Sequence, residues 1–382
     1  MRRHGFTLLE LLVALAIIAT LVALLVPAVA IAVNYTRRST VTAEIQQTAT
    51  GMADMKGKVN QPGFSIFIAC EDGDYSAANI AKLGLADGVR IRQRTLDTMR
   101  KFWPRARFSE IALANRTACD NITFPISGIG WYDFNGNGVY DAEPYLVDGF
   151  ECLVLCLGGI SQPFVKADGS RGWSVIGFAN SPTNPFQPAS YIPCGGGGEI
   201  TPSRTPPYME FNSGRLFDAD GDGMPALADT FSGSEQPTPY AFFVTMGGEY
   251  DPNDCNLAAE PDGSPAPVAA FKTSRGIISS PAPNPYTTGP ALPVTGSYTT
   301  GTLNTGSSPG TVWAKSETYQ IISAGPDRRY GPGGQFSQGD ANDPLPFPRT
   351  ANTAATGVNL PADIRQGERD NLTNLATGVL AP

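Results

Sequence analysis

The chain has 382 residues, a formal net charge of −8 and a single histidine, His4. An acidic chain of this kind does not suggest nucleic-acid binding, and it suits divalent cations instead. No histidine follows His4, which removes Ser-His-Asp and Cys-His catalysis and His-ligated zinc from the rest of the chain together. Gly (42) and Pro (33) make about a fifth of the residues, above average but short of the level of wholesale disorder, as in a loop-rich β domain.

The chain opens with a basic leader, Met1-Arg2-Arg3-His4-Gly5, followed by an apolar run from Phe6 to Val33 whose one charged residue is Glu10. As a helix these 28 residues measure about 42 Å, enough to span a ~30 Å hydrocarbon core with tilt. A carboxylate inside such a segment costs roughly 2–3 kcal/mol, so its position calls for a pairing partner. Pro27 removes one backbone donor and is expected to bend the helix. Beyond it, Thr40 to Ala49 reads as an amphipathic helical stalk, with Gly51 the first candidate break. A secretory signal peptide would be shorter and would not carry Glu10. A plain membrane anchor would explain the length but not Gly5-Phe6 with Glu10.

The stretch Gly5-Phe6-Thr7-Leu8-Leu9-Glu10-Leu11-Leu12-Val13 resembles the processing and methylation signature of type IV pilins and type II secretion pseudopilins. The resemblance covers about the first 50 residues and implies cleavage after Gly5 by a membrane prepilin peptidase, with methylation of the new amino terminus at Phe6. It implies that Glu10 pairs with the terminal amine of a neighbouring subunit and that Pro27 is the helix-kinking proline of many members. The implied partners are prepilin peptidase, other pilin or pseudopilin subunits, an inner-membrane assembly platform and membrane lipid. The implied location is a single pass of the inner membrane, then a periplasmic or cell-surface filament.

Further along, Gly63 to Cys70 reads as a strand, and Ser76 to Trp103 as partly helical up to Pro104. Four glycine-bounded runs read as strands: Glu151 to Leu157, Trp173 to Phe178, Tyr240 to Met246 and Tyr319 to Ala324. Residues 256–312, rich in Pro, Gly, Ser and Thr, read as a long exposed insertion, and 350–382 as a polar tail. The domain scheme is therefore a leader (1–5), a transmembrane or filament-core helix (6–33), a stalk (34–60), an extracytoplasmic domain (61–349) and the tail. The fold class is α+β, a long amino-terminal helix packed on an antiparallel sheet with loop-rich insertions.

The six cysteines, Cys70, Cys119, Cys152, Cys156, Cys194 and Cys255, allow up to three disulfides outside the cytoplasm, in any of 15 pairings. Cys152 and Cys156, on an apolar run, equally suit buried thiols.

Three segments are candidate calcium sites. Asp218, Asp220 and Asp222 alternate before Gly223, with Asp229 at the twelfth position, matching an EF-hand-type loop as in dockerin-like loops. Asp133, Asn135, Asn137 and Asp141 repeat the spacing, with Pro144 at the twelfth position; an Asn-Gly turn is the alternative. The segment Ser323-Ala324-Gly325-Pro326-Asp327, followed by Asp340 and Asp343, resembles the carboxy-terminal loop of major type II secretion pseudopilins, which binds calcium in that family.

The function implied is structural and non-enzymatic: a pilin-like subunit assembled through its helix. Its size suits a minor or specialised subunit, since repeated subunits of the class are usually much smaller. The alternative is a membrane-displayed calcium-dependent binding module or adhesin. A tethered carboxylate enzyme is the third reading, and it lacks a paired-acid signature.

Overall fold

The computed structural model describes residues 8–85, 88–106, 108, 131–193, 197–218, 220–233, 237–251, 254–255, 272–273, 276–277, 283, 285–288, 312–330, 334–336, 345, 369–376 and 379–380. Helix α1 spans Leu8–Val59, 52 residues, and passes through Pro27 without interruption. Its two halves differ in environment. Leu8 to Tyr35 is exposed throughout, whereas Val41, Ile45, Thr48, Met52 and Met55 recur on one face and are buried. This 3–4 residue spacing is the apolar stripe of a helix seated on a core.

Gly51, expected as a break, lies inside α1. A Cβ there would stand 3.2 Å from the Tyr208 carbonyl oxygen and 3.3 Å from Leu157 Cδ2. The glycine therefore lets the stalk approach the domain closely, and the helix runs on to Val59.

After α1 come β1 (Phe67–Ala69), α2 (Ala77–Ala81), α3 (Gly88–Phe102), β2 (Tyr145–Val147) and α4 (Gly149–Gly158). Then follow β3 (Ile160–Val165), β4 (Arg171–Gly177), β5 (Leu216–Asp218), β6 (Pro225–Leu227) and β7 (Ala241–Val244). The remaining strands are short: β8 (Lys272–Thr273), β9 (Gly276–Ile277), β10 (Tyr286–Thr287), β11 (Tyr319–Ser323), β12 (Gly334–Gln335) and β13 (Leu372–Thr373). The α+β class holds, with the β content divided among small sheets. Five two-stranded pairs accompany one antiparallel three-stranded sheet of order β13-β11-β7, among the described residues.

The expected strand at Glu151 to Leu157 is instead α4. Asp148 caps it, accepting from the amides of Phe150 at 2.8 Å and Glu151 at 3.3 Å, and the Glu151 carboxylate accepts from the Asp148 amide at 3.2 Å. This reciprocal box satisfies amino-terminal amides that a helix otherwise leaves unpaired. All ten residues of α4 are buried, so its sequence is apolar on every side and shows no helical stripe. Leu153, Leu155 and Leu157 join one core cluster with Val41, Ile45, Met52, Met55, Phe242 and Ile321, which binds the stalk to the sheet through α4.

Two further expectations change. Within the segment read as an exposed insertion, Tyr286 and Thr287 are fully buried, and Tyr286 lies in a second core cluster with Phe150 and Trp313. In the segment read as a polar tail, Leu372 and Thr373 form the edge strand β13 against β11, with Leu375 and Leu380 also buried.

Candidate functional site

The first candidate site is α1 itself. Gly5 and Phe6 lie outside the described residues. Glu10 sits in the first turn of the helix, where the dipole favours an acid. Below it, α1 is long and apolar enough to cross a membrane. The surface it exposes, Leu8 to Val33, is nearly all Leu, Ile, Val and Ala, which only a lipid or apolar protein environment would cover without cost.

Where the helix meets the domain, one carboxylate gathers three donors. Glu44 accepts from both terminal nitrogens of Arg215, from the Tyr240 hydroxyl at 2.6 Å and from Thr230 Oγ1 at 3.3 Å. Arg215 in turn donates through Nε to the Ala228 carbonyl at 3.0 Å. The stalk is thereby fixed by a charge-assisted network as well as by its apolar face.

The second candidate site is the pair of acidic loops, which the fold brings together. In the loop from Asp133 to Asp141, Asp133 Oδ2 accepts from the Gly138 amide at 3.1 Å, Asn135 Oδ1 from the Asn137 amide at 3.1 Å, and Asn137 Oδ1 from the Val139 amide at 2.6 Å. In the loop from Asp218 to Met224, Asp218 Oδ2 accepts from the Gly223 amide at 3.1 Å, Asp220 Oδ1 from the Asp222 amide at 3.4 Å, and Asp222 Oδ1 from the Met224 amide at 2.7 Å. The two loops thus share one internal pattern, with the first residue bonded to the sixth, the third to the fifth and the fifth to the seventh. They also touch. Asn135 Nδ2 donates to the Asp222 carbonyl at 3.2 Å, and a Cβ on Gly223 would stand 3.1 Å from that same nitrogen.

Both loops line one cleft of about 420 Å³, together with Tyr145, Arg171 and Trp173. Asp141 closes the first loop, accepting through Oδ2 from Asn135 Nδ2 at 3.0 Å and Asn137 Nδ2 at 3.1 Å.

Three acids that sequence reasoning did not assign to these loops stand against them. Glu71, from the turn after β1, accepts from the Asp141 amide at 2.7 Å and the Tyr145 hydroxyl at 3.2 Å. Glu151, at the amino end of α4, places a carboxylate oxygen within 4.8 Å of those of Asp220 and Asp222. Asp148, the cap of α4, lies near enough to Asp220 for the two carboxyls to disfavour each other's ionisation. Burial pushes the Glu71 carboxyl up to about 9, that of Asp133 to about 7 and that of Asp148 to about 8, and raises those of Glu151 and Asp222 as well. The sequence signal for Asp148 and Glu151 was the acid–x–x–Glu capping pattern before an apolar run; nothing local marked Glu71.

Asp229, read as the last residue of the second loop, has its carboxylate engaged elsewhere. Oδ1 accepts from the Phe231 amide at 3.0 Å and Oδ2 from the Ser323 hydroxyl. Burial lifts it to about 6. The third predicted segment is only partly described, since Asp340 and Asp343 lie outside the described residues. Asp327 accepts from the Arg329 amide at 2.9 Å, and its own amide donates to Asp370 at 3.3 Å, a carboxylate the sequence had not linked to it. Of the cysteines, Cys70, Cys152, Cys156 and Cys255 are free buried thiols. Cys119 and Cys194 lie outside the described residues.

Residues 1–26 match the family described as the prokaryotic N-terminal methylation motif, so the chain carries the type IV pilin and pseudopilin signature. No curated protein and no solved structure matches the chain. The motif supports a pilin-like or pseudopilin subunit, which implies processing by prepilin peptidase and assembly with other pilins. With the apolar helix, it points to a membrane-anchored precursor.

Proposed function

We propose that this protein is a minor or specialised structural subunit of a type IV pilus or type II secretion pseudopilus. Prepilin peptidase cuts after Gly5 and methylates Phe6, and an inner-membrane platform draws the helix from the lipid into a filament. Glu10 then sets register by pairing with the terminal amine of a neighbour, because a carboxylate left unpaired in an apolar filament core is costly. The observation that carries this reading is the division of α1. The half bearing the signature is exposed and apolar, while the half beyond Val41 is built into the domain's core. Such a chain can exchange lipid for neighbouring helices without unfolding its domain. Its 382 residues favour a minor subunit over the repeated one.

The test is intact-mass and amino-terminal peptide analysis of the membrane-extracted protein beside Gly5→Ala. A start at N-methylated Phe6, lost in the variant, is expected. A start near residue 30, or unprocessed Met1, would overturn the filament reading. The second reading, a calcium-dependent binding module displayed on the helix, draws support from the cleft between the acidic loops. Ligand binding without filament incorporation would mark it.

A further inference from the structure

We infer that the two acidic loops and the amino end of α4 form one paired divalent-cation centre, with calcium as its ion. The inference concerns the domain and holds whichever machine the helix serves. The first position is the loop from Asp133 to Asp141. The second is made by Asp220 and Asp222 with Glu151, which supplies from a distant helix the carboxylate that Asp229 does not bring.

Acid clustering alone would not carry this. The deciding feature is an unpaired buried oxygen. Asp133 is wholly buried, its Oδ2 takes the Gly138 amide, and its Oδ1 has no hydrogen-bond partner. The Gly138 amide, five residues on, holds this carboxyl inside its own loop. A buried acceptor with no donor carries its full desolvation cost, and a charged one carries more. The second loop repeats the feature, since Asp222 Oδ2 also lacks a partner. An oxygen reached by no donor and closed to water still admits a bare cation, because a Ca²⁺–oxygen contact of about 2.3–2.6 Å is shorter than a hydrogen bond to water.

Oxygen chemistry selects the ion. Carboxylates and amide oxygens are hard ligands, and neither loop offers a thiolate or an imidazole. Calcium accepts six to eight oxygens in flexible geometry, as alternate residues of a tight loop supply. Magnesium demands a near-ideal octahedron and keeps its waters. The pairing follows from the shared wall, where Asn135 holds the Asp222 carbonyl at 3.2 Å. Ordering one loop therefore positions a residue of the other.

The experiment is calorimetric titration of the chelator-treated full-length protein in detergent with calcium chloride. Wild type is expected to take up two ions per chain. Glu151→Gln keeps the α4 capping box, because glutamine serves at that position. It should weaken the second site roughly tenfold or more by removing one of its charges. Asp133→Asn should abolish the first site, and the exposed Asp168→Asn should change nothing. Near-UV circular dichroism reports whether each variant is folded. If Asp133→Asn does not fold, terbium on wild type decides. Tryptophan-sensitised emission through Trp173 in the cleft, displaced by calcium at lower concentration than by magnesium, supports the centre; its absence from folded protein overturns it. Uptake unchanged in Glu151→Gln, or a single ion lost in both variants, would also overturn the paired arrangement.

Discussion

Replacing Glu44 by alanine tests whether the stalk is locked to the domain by charge as well as by packing. Glu44 and Arg215 keep only 19% and 23% of their side chains exposed, and the acid also holds Tyr240 and Thr230. Deleting one partner of a fully buried pair costs about 3–5 kcal/mol. Two facts reduce that figure here. A fifth of each side chain is wet, and Arg215 retains the Ala228 carbonyl. The expected loss is about 2–3 kcal/mol. Glu44→Gln, which can still accept from Tyr240, should fall between wild type and Glu44→Ala.

The assay is urea unfolding of the full chain in detergent, followed by tryptophan fluorescence. The exposed pair Lys82–Glu143, with side chains 47% and 73% exposed, provides the contrast, and Lys82→Ala should cost no more than about 0.5 kcal/mol. A Glu44→Ala loss below about 1 kcal/mol would place Glu44 with the surface pairs and refute the reasoning. A double cycle with Arg215→Met would then assign any remaining loss to packing.

Gly136 has φ +66°, and a Cβ there would lie 2.0 Å from the Ser161 carbonyl oxygen. Gly136→Ala should therefore cost about 3 kcal/mol or more, read by thermal unfolding, and a loss under about 1 kcal/mol would contradict this backbone geometry. Asp229 gives a pH prediction, set by burial among Arg215, Glu44, Ser323, Tyr240 and Tyr330. Its folded value of about 6 exceeds the unfolded 3.8, so the folded state holds the proton longer. Its contribution to stability is thus greatest below the unfolded value, declines as pH rises and is gone above about 6, a change of roughly 3 kcal/mol. Asp229→Asn should flatten that part of the stability–pH curve and leave calcium uptake unchanged. A reduced stoichiometry would return Asp229 to the loop.

Much of the architecture was legible because it is written in local pattern. The apolar run with Glu10 near its head announced a membrane-length helix, and the strands around Trp173, Phe242 and Ile321 stood out as apolar runs between glycines. Helix α4 did not. A helix buried on every side loses the stripe that distinguishes it from a buried strand, and only the Asp148–Glu151 cap carried the difference. Gly51 misled for a related reason, since a glycine that admits a neighbouring backbone looks in sequence like one that ends a helix.

The acidic loops divide along the same line. Alternating acids followed by glycine fix which oxygens a loop can offer, because side-chain and turn geometry within a few residues obey local rules. The sequence by itself thus determined the signature at Gly5, Phe6 and Glu10, the long helix, and the two loops that share one spacing. Tertiary structure decided that these loops touch, that Glu151 and Glu71 join them, that Asp229 bonds to Ser323 instead, and that residues 372–373 close the sheet. Each of those facts joins residues far apart in the chain. Such contacts follow from how the core packs, and no local spacing encodes them.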